Sequence, residues 1–407
     1  MMFGLDVEKL RKDFPYLNRK INGKPIVYFD NAAMTQKPQQ VLDQINNYYK
    51  EHCANVHRGV HKLSQEASIL YEDAHKKIGN FVNARFEETI FTRNTTESLN
   101  LIYYAYALRN LKKGDRILAT SMEHHSNYVP LLELKKTLGV EVDLVGINEN
   151  GALKMEEYED KINKRTKIVT AVHVSNVLGT INNVKEIGKL AHENNSLFIV
   201  DAAQSVPHMP VDFKKINADF LCFSGYKMLG PTGIGGLIGK KEILEDMNPF
   251  LYGGDMIHEV HKDSWKPNNL PWKFEAGTPN IADGIGFGAA VDYLKKVGME
   301  KIRMHEMELV KYALEKLNGI KNIKLYDNLD IESKGGVISF NLGKLKCHET
   351  AGLLDSINNV MCRSGMLCVQ PLVESLNKEG VARISFYIYN TTDEIDIFIN
   401  SLSKIKN

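Results

Sequence analysis

The feature that most limits the fold is a series of uninterrupted apolar runs, each followed by a helix-length polar segment. The runs are Thr89-Ile90-Phe91, Arg116 to Thr120, Ile168 to Val172, Leu197 to Val200, Phe220 to Phe223 and Gly236 to Ile238. A strand with one wet face alternates apolar and polar residues, whereas these runs do not, so they predict strands covered on both faces. Strands of that kind interleaved with helices build an α/β layer structure on a mostly parallel sheet. At 407 residues the chain also exceeds the size at which a single core keeps growing. From about Asp283 the pattern changes to long amphipathic helices, then Gly336 to Leu342, a further helix, and Ala382 to Phe386. That predicts a smaller α+β domain with an antiparallel sheet, joined by an N-terminal helix around Val7 to Lys12. The expected division is a large domain over 30–282 and a small one over 1–29 and 283–407. Tyr252 to Thr278 reads as a long ordered excursion.

Charge restricts the partners. Fifty-one basic and fifty acidic residues leave +1, which argues against a polyanion-binding surface and so against nucleic acid. No run approaches the roughly 20 apolar residues that span a bilayer, and no signal peptide is readable at the start. Five cysteines without a Cys-x-x-Cys pair point to reduced thiols and a cytoplasmic setting, not to disulfides or a zinc site.

Lys227 follows the run Phe220 to Phe223 through Ser224-Gly225-Tyr226, and Asp201 ends the preceding strand candidate, with Gln204 three residues on. Ligands of open α/β sheets sit at the ends of such strands, so both side chains can enter one crevice. A lysine to hold an aldehyde, a carboxylate to keep a ring nitrogen protonated and hydroxyls for a phosphate are what pyridoxal 5'-phosphate (PLP) requires. Asn94-Thr95-Thr96-Glu97 supplies a helix start with Asn94 as cap, free backbone amides and two hydroxyls, which suits a phosphate but also suits a plain capping box.

Other motifs are weaker. His52, His57 and His61 imitate a metal set, but Arg58-Gly59-Val60 interrupts the helix they would need. His124 and His125 lack a carboxylate or thiolate at ligand spacing; if extended, they point to opposite faces, one free to stack on a flat cofactor. The glycine-rich stretch Gly230 to Lys240 fails as a phosphate loop on its spacing and as a dinucleotide fingerprint because Ile238 takes the last glycine position, leaving tight turns. No metal is expected. Arg363-Ser364-Gly365-Met366-Leu367-Cys368 places a thiol in a loop with a cation five residues back, a setting that favours thiolate. Cys222 and Cys362 read as inert; Cys53 and Cys347 stay open. Arg383, a charge inside an apolar strand, needs a carboxylate, either a ligand's or an internal Asp or Glu.

Together, Thr95-Thr96-Glu97, Glu123-His124-His125, Asp201-x2-Gln204, Ser224-x2-Lys227, Arg363-Ser-Gly-x2-Cys368 and Ala382-Arg383-Ile-Ser resemble the class V aminotransferase family of PLP enzymes, and more narrowly the SufS-type (group II) cysteine desulfurases. The similarity runs nearly end to end, through Tyr28 to Ala33, His57-Arg58-Gly59-Val60-His61, Phe274 to Asn280 and Tyr389-Asn390-Thr391. The resemblance implies fold type I, with a seven-stranded, mostly parallel sheet in the large domain. It implies that Lys227 forms the internal aldimine, Asp201 pairs with the pyridine nitrogen, Gln204 bonds the ring oxygen and His124 stacks on the ring as a catalytic group. Thr95, Thr96, Ser224 and Tyr226, with Thr278 from a second subunit of a homodimer, would hold the phosphate. Asn176, Arg383, Arg363 and Arg58 would receive the substrate, L-cysteine, and Cys368 would take its sulfur as a persulfide, leaving L-alanine. An acceptor of the SufE, SufU or scaffold type would then draw the sulfur into iron-sulfur cluster assembly.

Two positions depart from the family: Tyr226 where His is usual, and Met366-Leu367 where His-His is frequent. A phenol donates one hydrogen bond but brings no positive charge at neutral pH. The alternatives are a selenocysteine lyase, another class V lyase or aminotransferase, and an idle PLP-fold scaffold.

Overall fold

The computed structural model describes residues 4–405. A seven-stranded sheet forms its centre: β1 (Thr89–Thr92), β2 (Arg116–Thr120), β3 (Glu141–Val145), β4 (Thr166–Val172), β5 (Leu197–Asp201), β6 (Phe220–Ser224) and β7 (Gly235–Gly239). Their spatial order is β1-β7-β6-β5-β4-β2-β3, and only β7 runs against its neighbours. The continuous apolar runs find their explanation here. Leu118, Val169, Val200, Leu221 and Phe223 face one core, while Ile117, Ala119, Ile168, Ile199 and Cys222 face a second core on the other side. Along the inner strands nearly every residue is buried on one face or the other, whereas the edge strand β3 is mostly half-buried.

The glycine-rich stretch is less a set of turns than β7 itself. A side chain at Gly235 would put its Cβ 2.7 Å from the Phe223 carbonyl and 2.8 Å from the Asn94 Cα, so only glycine lets this strand lie against both.

A second sheet is wholly antiparallel. Among its strands, β8 (Ile323–Leu325), β9 (Val337–Leu342), β10 (Arg363–Gly365) and β11 (Val381–Ser385) follow the order β8-β9-β11-β10. Here alternation is strict and meaningful. Ile338, Phe340, Ala382 and Ile384 enter a third core with Leu309 and Phe398. Ser339 and Arg383, on the opposite face, reach back to the Val177 and Asn176 carbonyls at 2.6 and 2.9 Å. The polar face of the small sheet therefore closes over the end of the large one.

The N-terminal segment returns to this second unit. A short parallel ladder pairs Val27–Tyr28 with Val360–Met361, and Arg11, in a helix over Val7–Arg11, pairs with Glu394 at 2.9 Å. The helix Ile281–Val297 packs with the core of the large sheet through Ile285, Phe287, Val291 and Leu294, so residue 283 falls inside an element, not between two. The excursion after Tyr252 contains an antiparallel hairpin, Ile257–Val260 with Trp265–Pro267. Among the described residues no helix is long and apolar enough to cross a membrane.

Candidate active site

Asp201 closes β5 and Lys227 ends a short 3-10 turn, Gly225–Lys227, directly after β6. Parallel neighbours in register bring the two to one rim of the sheet. Lys227 is 9% exposed and Asp201 2%. Burial lowers the lysine to about 8, with Asp201 opposing that shift, and burial raises the carboxyl of Asp201. One Asp201 oxygen accepts from the Ala203 amide at 3.0 Å, and among the described residues no ion pair neutralises it. A buried carboxylate without a cationic partner beside a poised amine fits the pyridinium and aldehyde ends of PLP.

The phosphate end also has its groups. Asn94 caps the helix Thr95–Ile102 by accepting from the Glu97 amide at 3.1 Å. Glu97 reaches back as expected, although to Arg93, where the guanidinium Nε lies 3.1 Å away, and not to the cap. The Ser224 hydroxyl accepts from the Thr95 amide at 2.9 Å and meets the Thr95 hydroxyl at 2.7 Å. Two hydroxyls thus converge on the positive end of a helix. Thr96 is exposed at the same end. The ring of Tyr226 lies 5.9 Å from the Lys227 amine, and its carbonyl is held by the Thr35 amide at 3.1 Å and the Lys37 amine at 3.1 Å.

His124 is the N-cap of the helix His125–Leu138, not part of an extended segment, so the two histidines do not simply face opposite ways. Its Nδ1 accepts from the Ser126 amide at 3.1 Å, which leaves the proton of the neutral ring on Nε2. Burial and then Lys227 lower its pKa to about 3, so the imidazole is neutral at physiological pH. Beneath it, Glu123 accepts from Thr120, Asn127 and the Val172 amide at 2.6, 2.6 and 2.9 Å, and burial raises this carboxyl to about 7. Gln204 donates to the Ala32 carbonyl at 2.6 Å.

The thiol comes from the other unit. Cys368 is exposed on a loop where Gly365, Leu367 and Cys368 have φ of 110°, 50° and 56°. Two consecutive non-glycine residues in the left-handed region are strained, and such strain persists only when the surroundings enforce it. The His125 amide donates to the Cys368 carbonyl at 2.7 Å, Asn176 donates to the Leu367 carbonyl at 2.9 Å, and His125 Nε2 accepts from the Gln370 amide at 3.0 Å. Met366 and Leu367 pack against the main core, so the apolar pair anchors the loop from below. Burial pushes Cys362 up to about 12 and Cys222 well above its usual range. Cys347, buried, points its thiol at the Glu379 carbonyl, and Cys53 is exposed.

Arg383 is 3% exposed and does have an internal carboxylate, Asp30, at 3.2 Å. Arg363, the cation placed five residues before Cys368, is also committed to Asp30, at 2.6 Å. Arg58 pairs with Asp255 at 3.2 Å, and Thr278 lies exposed on a cleft shared with Arg93, Glu97 and Leu251. Among the described residues, no hydrogen bond joins Arg58 or Thr278 to the Lys227 cluster. His57 packs on Trp272, with centroids 4.1 Å apart, and His61 caps the next helix; they share no helical face. Sequence reasoning missed Asp30 and the tethering role of His125. The run Tyr28-Phe29-Asp30-Asn31 gave no sign of the first beyond its place in the resemblance.

A family model described as "Aminotransferase class-V" matches residues 27–398. A curated protein of Haloferax volcanii, "Cysteine desulfurase", is 46% identical over 98% of this chain and 97% of its own length. A "Probable cysteine desulfurase" of Synechocystis is 46% identical over 97% of this chain and 94% of its own. Among solved structures, an apo cysteine desulfurase from Thermococcus onnurineus superposes with a TM-score of 0.93 at 40% identity, covering 98% of both chains. The Escherichia coli cysteine desulfurase CsdA superposes with a TM-score of 0.90 at 32% identity, again over 98% of both.

Proposed function

Because the chain belongs to the class V aminotransferase family and is a PLP-dependent cysteine desulfurase, we propose that its chemistry runs between Lys227 on the large sheet and Cys368 on the small unit. The observation that carries this reading is the convergence of a buried amine, lowered to about 8, with an exposed thiol on a strained loop tied to the same His124-His125 turn.

When bound, PLP supplies an electron sink that labilises bonds at the Cα and Cβ of an amino acid. Asp201 would hold the proton on the cofactor's ring nitrogen, Gln204 would bond the ring oxygen, and neutral His124 would stack on the ring. Thr95, Thr96, Ser224 and Tyr226 would bind the phosphate. Arg383, with Asn176 beside it, receives the substrate carboxylate, helped by Arg363; Arg58 serves at the outer edge. Lys227 Nζ, neutral in a substantial fraction at pH 7 to 8, removes the Cα proton. The Cys368 thiolate then bonds to the substrate sulfur as the Cβ–S bond breaks. The electron pair of that bond stays with Cβ, which takes up one proton to become a methyl group, and Lys227 returns a proton to Cα, so that the carbon product is L-alanine. A persulfide remains on Cys368, exposed and open to an acceptor.

We further read the chain as a homodimer in the cytoplasm in which Thr278, exposed and with no hydrogen bond to Ser224 among the described residues, completes the phosphate site of a second copy. The short loop between Gly365 and Cys368 supports the SufS type, with an acceptor protein serving iron-sulfur cluster assembly. On packing, the helix Ile281–Val297 goes with the large unit, so the small unit resumes after Gly298. Incubation of the purified holoenzyme with L-cysteine and dithiothreitol tests the activity: alanine and sulfide appear one for one, whereas pyruvate as the carbon product contradicts it.

A further inference from the structure

Asp30 lies between the two arginines that the proposed reading gives to the substrate carboxylate. Its Oδ2 accepts from Arg363 Nη2 at 2.6 Å, and its Oδ1 lies 3.3 Å from Arg363 Nε and 3.2 Å from Arg383 Nη2. Backbone fixes it there, since Asp30 bridges to Ser385 on the strand that carries Arg383. The Arg383 Nη1 is taken by the Asn176 carbonyl at 2.9 Å. What remains is Arg383 Nε, buried and without a partner. A guanidinium so held keeps one edge free, Nε with the second Nη2 hydrogen, which is the side-on fork that binds a carboxylate.

The charges matter as much as the fork. Two guanidiniums and one carboxylate sum to one uncompensated positive charge, and the other titratable groups against Asp30 are Tyr28, held in its neutral form by burial, and Cys362, whose thiol burial also raises. We infer that Asp30 is a positioning and specificity-determining residue that sets the carboxylate pocket at a single positive charge, aiming the free edge of Arg383 at the ligand while restraining how tightly the pocket holds an anion. A ligand with one carboxylate neutralises the pocket and can still leave it; without Asp30 the same ligand meets two uncompensated cations. This rests on Arg383 being the carboxylate receptor.

The test is a spectral titration of the holoenzyme with L-alanine, the one-carboxylate product, and with L-alaninamide, which lacks the anion. Asp30→Asn keeps an oxygen that can accept from Arg383 but removes the charge, so L-alanine binds about tenfold more tightly while L-alaninamide does not tighten. Asp30→Glu restores the L-alanine affinity of the unaltered protein. Asp30→Ser, a smaller neutral side chain, moves in the same direction as Asp30→Asn and stands in for it if that variant does not fold. Unchanged or weaker L-alanine binding in the neutral variants, or equal tightening of both ligands, overturns the inference. Arg383→Gln separates the two readings: if it leaves L-alanine affinity unchanged, the receptor assignment itself fails, whatever Asp30 does.

Discussion

Lys227 sits 9% exposed on the rim of a sheet buried on both faces, whereas Cys368 stands exposed at the tip of a loop on the smaller unit. Desolvation tunes the first: it disfavours the charged amine and draws its pKa down to about 8. The second is held in place by hydrogen bonds from Asn176 and His125 and by the half-buried Met366 and buried Leu367, while its sulfur stays open. A proton-transfer group gains from burial, and a sulfur carrier must remain reachable; one chain meets both needs by taking them from different units and joining them through the His124-His125 turn.

The largest expected effect breaks the lysine side. Lys227→Ala lowers turnover by at least roughly a thousandfold, measured as alanine formed; a variant within tenfold of the parent would remove the amine from the chemistry. Next is the thiol. Cys368→Ser loses sulfide release by roughly a hundredfold or more in the presence of dithiothreitol, yet keeps the cofactor absorbance and its response to L-cysteine. Loss of both together would mean that the two sides are not separable as described.

A pH profile sharpens the contrast. Formation of the lysine–cofactor bond in the apoprotein needs the neutral amine, so its rate constant rises about tenfold per pH unit below 8 and flattens above. A rise continuing toward 10.5, the usual value, would show an amine that burial does not perturb. The sign for stability follows the same shift: between about 8 and 10.5 the unfolded chain binds the extra proton, so this group makes the apoprotein more stable as pH increases through that window. The smallest effect concerns the tether. His125→Ala forfeits only the Gln370 hydrogen bond, about 1 kcal/mol, and slows persulfide formation less than tenfold while leaving cofactor binding alone. An unchanged rate would mean that the loop needs no help from the turn.

The two sides also differ in how far the sequence reveals them. Lys227 and Asp201 end apolar runs, and such runs in an open α/β sheet lead to its ligand crevice, so position alone marks them. The sheet was legible for the same reason, since its inner strands are buried on both faces; the edge strand Glu141–Val145, mostly half-buried, carries no such apolar run and was not among those read from the sequence. Cys368 is legible as a loop thiol, but its restraints are long-range. The carbonyls it and Leu367 offer are met by His125 and Asn176, some 190 to 240 positions away, and backbone acceptors leave no trace in a residue pattern. Arg383 shows the limit most clearly. Its need for a carboxylate follows from its place in an apolar strand, yet nothing local says that Asp30, 353 residues earlier, supplies it. Likewise the glycines from 230 to 239 suggest turns, while the close approach of Phe223 and Asn94 makes several of them a strand.

The most direct measurement is a single turnover of the reductant-free holoenzyme with L-cysteine, followed by mass analysis of its peptides. The account predicts one added sulfur atom on the peptide bearing Cys368, equal in amount to the alanine formed and released by dithiothreitol as sulfide. Alanine formed in the same amount with no added sulfur on Cys368, or with the sulfur on Cys53, would contradict it.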